Sequence, residues 1–314
     1  MRVAVLAGGW SPEREVSLRS GHRVQLALSG AGHEAVLVDP ATVPIPRAVQ
    51  ELRPEVCYIA LHGKEGEDGT VQSLLEVLGV PYTGSDPLAC QLAFDKSLAK
   101  EVLARAGVPT PPWVTLQAAA LRDLGAGAVL DLVAERVGLP AVVKPTRGGS
   151  AMGLSFVEAS RDLPGAVMKG LAFADAVVVE RKVEGTELAV STVGDPPEAL
   201  PAVEVVPKGG VFDYEARYTP GATDYYVPAR LPPEVAAACA EVSLRAFAAL
   251  GLRDVARVDL MVDGQGRPSV IEVNVSPGMT ETSLLPMAAG AAGLTLSELC
   301  ERVAGLALAR AAGP

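Results

Sequence analysis

DVARVDLMVDGQGRPSVIEVNVSPGM, residues 254–279, is the stretch on which the reading of this chain turns. Two alternating apolar and polar runs flank Asp263-Gly264-Gln265-Gly266-Arg267-Pro268, a dense turn signal, so an antiparallel hairpin is predicted. A turn centred between 265 and 266 sets Asp259 opposite Glu272 and Arg257 opposite Asn274. The two-residue period of a strand then puts all four on one face. Alternating charge is common on strand faces that meet only solvent. Four polar groups in facing register, followed at once by Ser276-Pro277-Gly278-Met279, point instead to a site. Asp259, Glu272 and the Asn274 carbonyl are hard oxygen donors suited to Mg²⁺, with Glu272 placed to bridge two ions. The backbone N–H groups of the turn that follows can approach a reacting oxygen.

Upstream, Val143-Lys144-Pro145-Thr146-Arg147-Gly148-Gly149-Ser150-Ala151-Met152-Gly153 ends a strand with a lysine and enters a Gly-rich loop. Its glycines let backbone N–H groups close on phosphate oxygens while Lys144 supplies charge. A bare Gly-rich turn is equally at home in an ordinary hairpin, and this one is not a Walker A loop. Lys96 is a second candidate phosphate ligand, although a lysine at a helix start is also a common solvated side chain. In Val177-Val178-Val179-Glu180-Arg181-Lys182-Val183-Glu184-Gly185-Thr186-Glu187 a buried strand runs into a connector. An adenine can slot there, with the backbone at 181 and 183 reading its edge and Glu187 accepting from ribose hydroxyls. A surface charge cluster is the plainer account of that stretch taken alone.

The remainder of the chain reads as alternating strands and helices. Residues 2–7 form a β-type run ending at Gly8-Gly9, and about 12–28 has helical spacing with Val16, Leu18, Val24 and Leu28 as apolar positions. Further apolar runs at 35–38, 56–61 and 80–82 predict a parallel sheet covered by helices. Gly8-Gly9 followed by Trp10-Ser11-Pro12 lacks the dinucleotide fingerprint. A helix starting near Asp95-Lys96 and the Pro-rich VPTPPW after it mark a boundary. Strands are expected at 139–144, 154–157 and 176–180, a helix at 233–250 and a terminal amphipathic helix at 295–312. The 207–228 stretch, rich in Gly, Tyr and Pro, is expected to be a long loop. This gives an α/β protein of three lobes, 1–95, 96–183 and 184–314, the last with a lid at 207–222.

Bulk properties narrow the function. The 314 residues exceed one simple core and suit several lobes around a cleft. A net charge of −10 repels polyphosphate backbones and gives no support for nucleic-acid binding. Four cysteines, at 57, 90, 239 and 300, form no C-x-x-C pair and read as reduced, mostly buried thiols. No stretch approaches the roughly 18 apolar residues of a membrane span, and the N-terminal run is too short for a signal sequence. A cytoplasmic address follows.

Taken in order, EREVS (13–17), Leu61-His62-Gly63 with Gly66-Glu67-Asp68-Gly69, the 143–153 loop, Asp213-Tyr214-Glu215-Ala216-Arg217-Tyr218, Arg257-Val258-Asp259 and Glu272-Val273-Asn274 with 276–279 resemble the D-alanine–D-alanine ligases of the ATP-grasp superfamily. The resemblance spans nearly the whole chain. It implies a three-domain ATP-grasp fold opening on a Rossmann-like parallel-sheet domain, ATP as nucleotide, two Mg²⁺ for which Mn²⁺ can substitute, a homodimer, and a dipeptide product for peptidoglycan precursor synthesis. It implies that Glu13 meets the ammonium of the first D-alanine, that Glu13, Ser150 and Tyr218 form a hydrogen-bonded set, and that His62 lines the first subsite. Arg257 and the Gly278 N–H would stabilise the oxyanion, and Ser283 and Leu284 would hold the second substrate's carboxylate. Asp259, Glu272 and Asn274 would bind the metal. Lys96, Lys144, Glu180, Arg181, Val183, Glu187 and Arg217 would hold ATP.

The sequence departs from the family pattern at Arg217 and Arg181, where Lys is usual, keeping charge and changing geometry, and at Thr146 and Ala151-Met152, which vary the phosphate loop without losing its glycines. The implied chemistry is an acyl phosphate formed on the first D-alanine and attacked by the amine of the second, under a lid that excludes water. Tyr218 and Ser150 are the candidates for handling the amine proton. Tyr218 argues against the rival hydroxy-acid (depsipeptide) ligases, EREVS and the 62–69 motif against ligases of other substrates, and the intact metal triad against a non-catalytic ATP-binding module.

Overall fold

The computed structural model of the chain describes residues 1–210, 216, 219 and 221–312, without the side chains of 123, 124, 126 and 128. Short apolar runs of Val, Ala, Leu and Ile make the first three strands, which pair in parallel: β1 (Arg2–Leu6), buried from Val3 on, lies between the half-buried edge strand β2 (Glu34–Val38) and the fully buried β3 (Val56–Ile59). Val80-Pro81-Tyr82 adds only a single parallel bridge, Cys57 to Tyr82, and not the expected strand. Pro81 accepts from the Cys57 N–H at 2.8 Å but has no N–H with which to continue a ladder.

Helix α1 (Arg14–Gly30) covers this sheet. Its buried face carries Val16, Val24 and Leu28 as expected, together with Ser17, Ser20 and Gly21, while Leu18 is only half-buried. The small residues are there for closeness: a Cβ on Gly21 would stand 2.2 Å from that of Ala7. Three further helices, α2 (Ile45–Leu52), α3 (Thr70–Leu78) and α4 (Pro87–Phe94), lead to α5 (Lys96–Arg105), whose first turn is capped by Asp95 accepting from Ser97 and Leu98 N–H groups.

The second sheet is antiparallel, in the order β4-β7-β5-β6, from β4 (Trp113–Gln117), β5 (Ala141–Pro145), β6 (Ser155–Val157) and β7 (Ala176–Arg181). Packed on it are α6 (Ala118–Leu124), α7 (Ala126–Val137) and α8 (Leu163–Leu171). The third sheet takes β8 (Gly185–Gly194), β9 (Pro197–Ala199), β10 (Val203–Pro207), β11 (Thr223–Tyr226), β12 (Val255–Asp263) and β13 (Pro268–Asn274). Thr223–Tyr226 pairs with β10, so the expected loop of 207–228 is in part a strand.

Helix α9 (Pro233–Ala249) packs behind the third sheet, and α10 (Leu284–Ala291) and α11 (Leu296–Ala311) close the chain. A Thr295–Glu298 capping box starts α11. One apolar core joins Val3 and Val5 of β1 and Val24 of α1 to Ala189 and Val203 of the third sheet and to Leu285, Leu299 and Val303 of the last two helices. All four cysteines are buried and unpaired, and burial pushes Cys57, Cys90 and Cys300 up to about 12.

Candidate active site

The hairpin forms in the predicted register where it matters. Arg257 pairs with Asn274 and Asp259 with Glu272. Nearer the turn the ladder runs Leu260–Val270, Met261–Ser269 and Val262–Pro268, one residue out of step, and a bulge at Ile271 makes up the difference. Arg257 forks onto Asp259 through Nε at 2.7 Å and Nη2 at 2.8 Å. Lys96 Nζ meets Glu272 Oε1 at 3.0 Å. Asn274 Oδ1 accepts from Ser276 N at 2.8 Å, which fixes which way the amide points. Among the described residues no three His, Cys, Asp or Glu side chains converge as a metal cluster; here the third donor is an amide oxygen.

Glu13, just before α1, is 6% exposed and accepts from the Ser150 hydroxyl. Space for its carboxylate is left by two glycines: a Cβ on Gly63 would stand 2.5 Å from Oε2, and one on Gly149 3.0 Å from both oxygens. Burial, then the nearby Glu67, push the Glu13 pKa up, against the pull of Ser150 and His62. Ser150 and Ala151 both sit in the left-handed backbone region at φ 52° and 56°, rare for residues with a side chain, and this turns the Gly-rich loop toward Glu13. His62 is buried, with Nε2 3.0 Å from Ser20 Oγ and Nδ1 3.7 Å from Glu67 Oε1.

Ser20, which sequence reasoning did not single out, also accepts from the Met279 N–H at 3.1 Å, and Arg23 donates to Met279 O at 2.6 Å. Helix α1 thus grips the turn that carries Gly278. The signal was available: Ser17, Ser20 and Gly21 share the helix face of Val16 and Val24. Ser283 stands at the N-cap position of α10 without a side-chain cap bond, its hydroxyl accepting from Thr280 N at 2.9 Å instead, so the Ser283-Leu284 backbone lies at a helix N-terminus suited to a carboxylate.

These residues enclose a cavity of about 70 Å³, lined by Glu13, His62, Ser150, Arg257, Glu272, Asn274, Gly278, Ser283 and Leu284. At roughly 10–15 Å³ per water-sized site, that is the scale of small amino acids. A second cavity of about 360 Å³ is lined by Lys96, Lys144, Glu180, Arg181, Val183, Glu187 and the bulged Ile271. The two meet at Gly148, Gly149 and Glu272.

In the larger cavity Lys96 Nζ donates to Gly148 O at 2.7 Å, and Lys144 pairs with Glu180 and reaches Ile271 O at 3.3 Å. The Arg181 N–H already donates to Pro112 O at 2.9 Å and its Nε to Val137 O at 3.0 Å, so both donors are engaged within the chain. Tyr218 and Arg217, with half of the expected lid, lie outside the described residues.

A nucleotide-sized cavity between two antiparallel sheets, opening through a Gly-rich loop and paired carboxylates into a small-molecule cavity, defines an ATP-grasp ligase. The family comparisons agree. The model of the D-ala D-ala ligase C-terminus matches residues 102–304 and that of the N-terminus residues 44–85. The chain is 45% identical to a D-alanine–D-alanine ligase of Desulforudis audaxviator over 98% of this chain and 99% of the relative, and 43% identical to one of Moorella thermoacetica with the same coverage. A crystal structure of the Bacillus anthracis D-alanine–D-alanine ligase complexed with ATP superposes with a TM-score of 0.84 at 32% identity, covering 99% of each chain. The chain belongs to the D-alanine–D-alanine ligase family.

Proposed function

We infer that this chain joins two D-alanine molecules into D-alanyl-D-alanine, converting ATP to ADP and phosphate, for peptidoglycan precursor synthesis. The observation that carries the reading is the meeting of an amino-acid-sized cavity and a nucleotide-sized one at Glu272 and Gly148-Gly149. In this reading Glu13 receives the ammonium of the first D-alanine, and His62 walls that subsite. The carboxylate of that D-alanine attacks the γ-phosphorus, the bond to the β-phosphate oxygen breaks, and an acyl phosphate forms. The amine of the second D-alanine, its carboxylate at Ser283-Leu284, attacks the acyl carbon and gives up a proton. Arg257 and the Gly278 N–H hold the resulting oxyanion until inorganic phosphate leaves. Ser150 and Tyr218 orient the reacting groups, Lys96, Lys144 and Arg217 grip phosphate oxygens, and the backbone at Arg181 and Val183, with Glu187, holds the nucleoside, while Glu180 completes the ATP site at its wall.

Asp259, Glu272 and Asn274 fit two Mg²⁺, or Mn²⁺ in their place. The donors are hard oxygens, the two carboxylates stand opposite one another, and each carries a cationic side chain, Arg257 or Lys96, as a partner. When bound, the ions neutralise charge on the transferring phosphoryl group. The lobes are taken as 1–95, 96–183 and 184–314, a division supported by one sheet falling in each. A homodimer follows the family resemblance. A cytoplasmic address suits four unpaired cysteines, and no helix among the described residues is long and apolar enough to cross a membrane.

The test is phosphate release by purified protein with Mg-ATP and D-alanine, beside L-alanine and beside D-alanine with D-lactate, products identified by mass spectrometry. Equal amounts of ADP, phosphate and dipeptide, dependent on D-alanine, are expected. A depsipeptide as the main product, or no stimulation by D-alanine, overturns the reading.

A further inference from the structure

Under the larger cavity one carboxylate serves two lysines. Glu180, near the end of β7 and 2% exposed, takes Lys144 on one oxygen and Lys100 on the other, the latter at 2.7 Å. The two lysines are placed differently. Lys144 lines the nucleotide cavity. Lys100, on α5, does not; it is 3% exposed, donates to Thr110 Oγ1 at 2.6 Å, and stands 5.3 Å over the Trp113 ring. Thr110 in turn donates to Val270 O at 2.9 Å, which fixes Lys100 against β13. Burial would raise the pKa of Glu180, yet Lys144 and Lys100 together hold it below the usual carboxylate range, and burial lowers that of Lys100.

Neutralising Glu180 requires one ammonium, and burying a second beside it is unfavourable unless the second has a use. A phosphate entering the larger cavity attracts Lys144. With Lys144 as the only partner, that movement would strand a bare carboxylate in a poor dielectric. We propose that Lys100 is a positioning residue for the nucleotide: the permanent counter-ion of Glu180, which lets Lys144 transfer to phosphate oxygens when ATP binds. The proposal rests on reading the larger cavity as the ATP site.

The experiment is calorimetric binding of adenosine, ADP and a non-hydrolysable ATP analogue, each with Mg²⁺, to wild type, Lys100→Met, Lys100→Arg, Glu180→Gln and the Lys100→Met/Glu180→Gln double variant, with melting curves to verify folding. Lys100→Met should weaken ADP and the analogue about tenfold while adenosine changes less than about threefold, because the phosphate contact alone is impaired. Lys100→Arg should retain most of the phosphate affinity. In the Glu180→Gln background the Lys100 substitution should have little further effect, since no carboxylate needs an anchor. This comparison stands even if Lys100→Met alone fails to fold. Equal weakening of adenosine and ADP, or an undiminished Lys100 effect without Glu180, overturns the role of Lys100 and leaves the nucleotide reading standing. Wild-type protein that binds neither ADP nor the analogue overturns the nucleotide reading and the proposal with it.

Discussion

Glu13 accepts a hydrogen bond from Ser150 across 137 positions of sequence, which ties the start of the first helix to the Gly-rich loop of the second sheet. The contact unites the amino-acid cavity with the phosphate loop. It also keeps a carboxylate in a setting that resists its charge.

That setting predicts a pH dependence. The Glu13 pKa is raised in the folded protein, so the neutral form is favoured there, and its contribution to stability is present below the unfolded value of about 4.5 and lost as pH rises through the folded value. Glu13→Gln should therefore raise the melting temperature at pH 7.5 by about 2 °C, with the gain fading as pH falls toward 4.5. The same variant should lose about 100-fold or more in kcat/KM, because the ammonium loses its counter-charge. In the wild type the acid limb of kcat/KM for the first D-alanine should lie above the range of an ordinary carboxylate. Calorimetric melting and a pH–rate profile check both.

Asp259 and Asn274 should separate stability from chemistry. Asp259→Asn leaves the Arg257 guanidinium, 8% exposed, without the carboxylate it forks, and should cost about 3 kcal/mol of stability as well as most activity. Asn274→Asp keeps oxygen at the same place and should melt near wild type while shifting the Mg²⁺ concentration for half-maximal rate. Melting curves and Mg²⁺ titrations of phosphate release distinguish the two.

Gly149→Ala puts a methyl group 3.0 Å from both Glu13 oxygens. The expected outcome is a folded protein with KM for the first D-alanine raised about tenfold, a loss of roughly 1.4 kcal/mol. Gly63→Ala should be worse, since its added carbon lies at 2.5 Å and its φ of 73° disfavours any side chain. Steady-state kinetics with the two variants side by side test the order.

Ser20→Ala removes the hydroxyl that stands between His62 Nε2 and the Met279 N–H. Two buried polar groups lose their partner, for about 1–3 kcal/mol. The turn carrying Gly278 loses one of its anchors, so kcat should fall about tenfold with KM for ATP unchanged, as befits a group that holds the oxyanion donor rather than the nucleotide.

Much of this site was legible because its chemistry is written in unusual residues at regular spacing. Asp259 and Glu272 were placed opposite one another from alternation alone. The assumed turn centre differs by half a residue from the one near the tip, and the Ile271 bulge restores the pairing; no propensity announces a bulge made of Ile. Trp113–Gln117 escaped notice although its β-branched and aromatic alternation is ordinary strand sequence. Ser20 and Lys100 were opaque for a different reason. A serine and a lysine on helices carry no pattern of their own, and only the partners that folding brings to them, His62 and Met279 in one case and Glu180 in the other, give them meaning.

The apolar core shared by Val3, Val24, Leu299 and Val303 has a consequence for biosynthesis. A ribosome makes β1 long before α11, so the opening sheet waits through the synthesis of both other sheets for the helix that seals it. Until then its greasy underside is a natural client surface for chaperones, and a transcript cut short before residue 296 would yield a nascent chain fit for proteolysis rather than a slow enzyme.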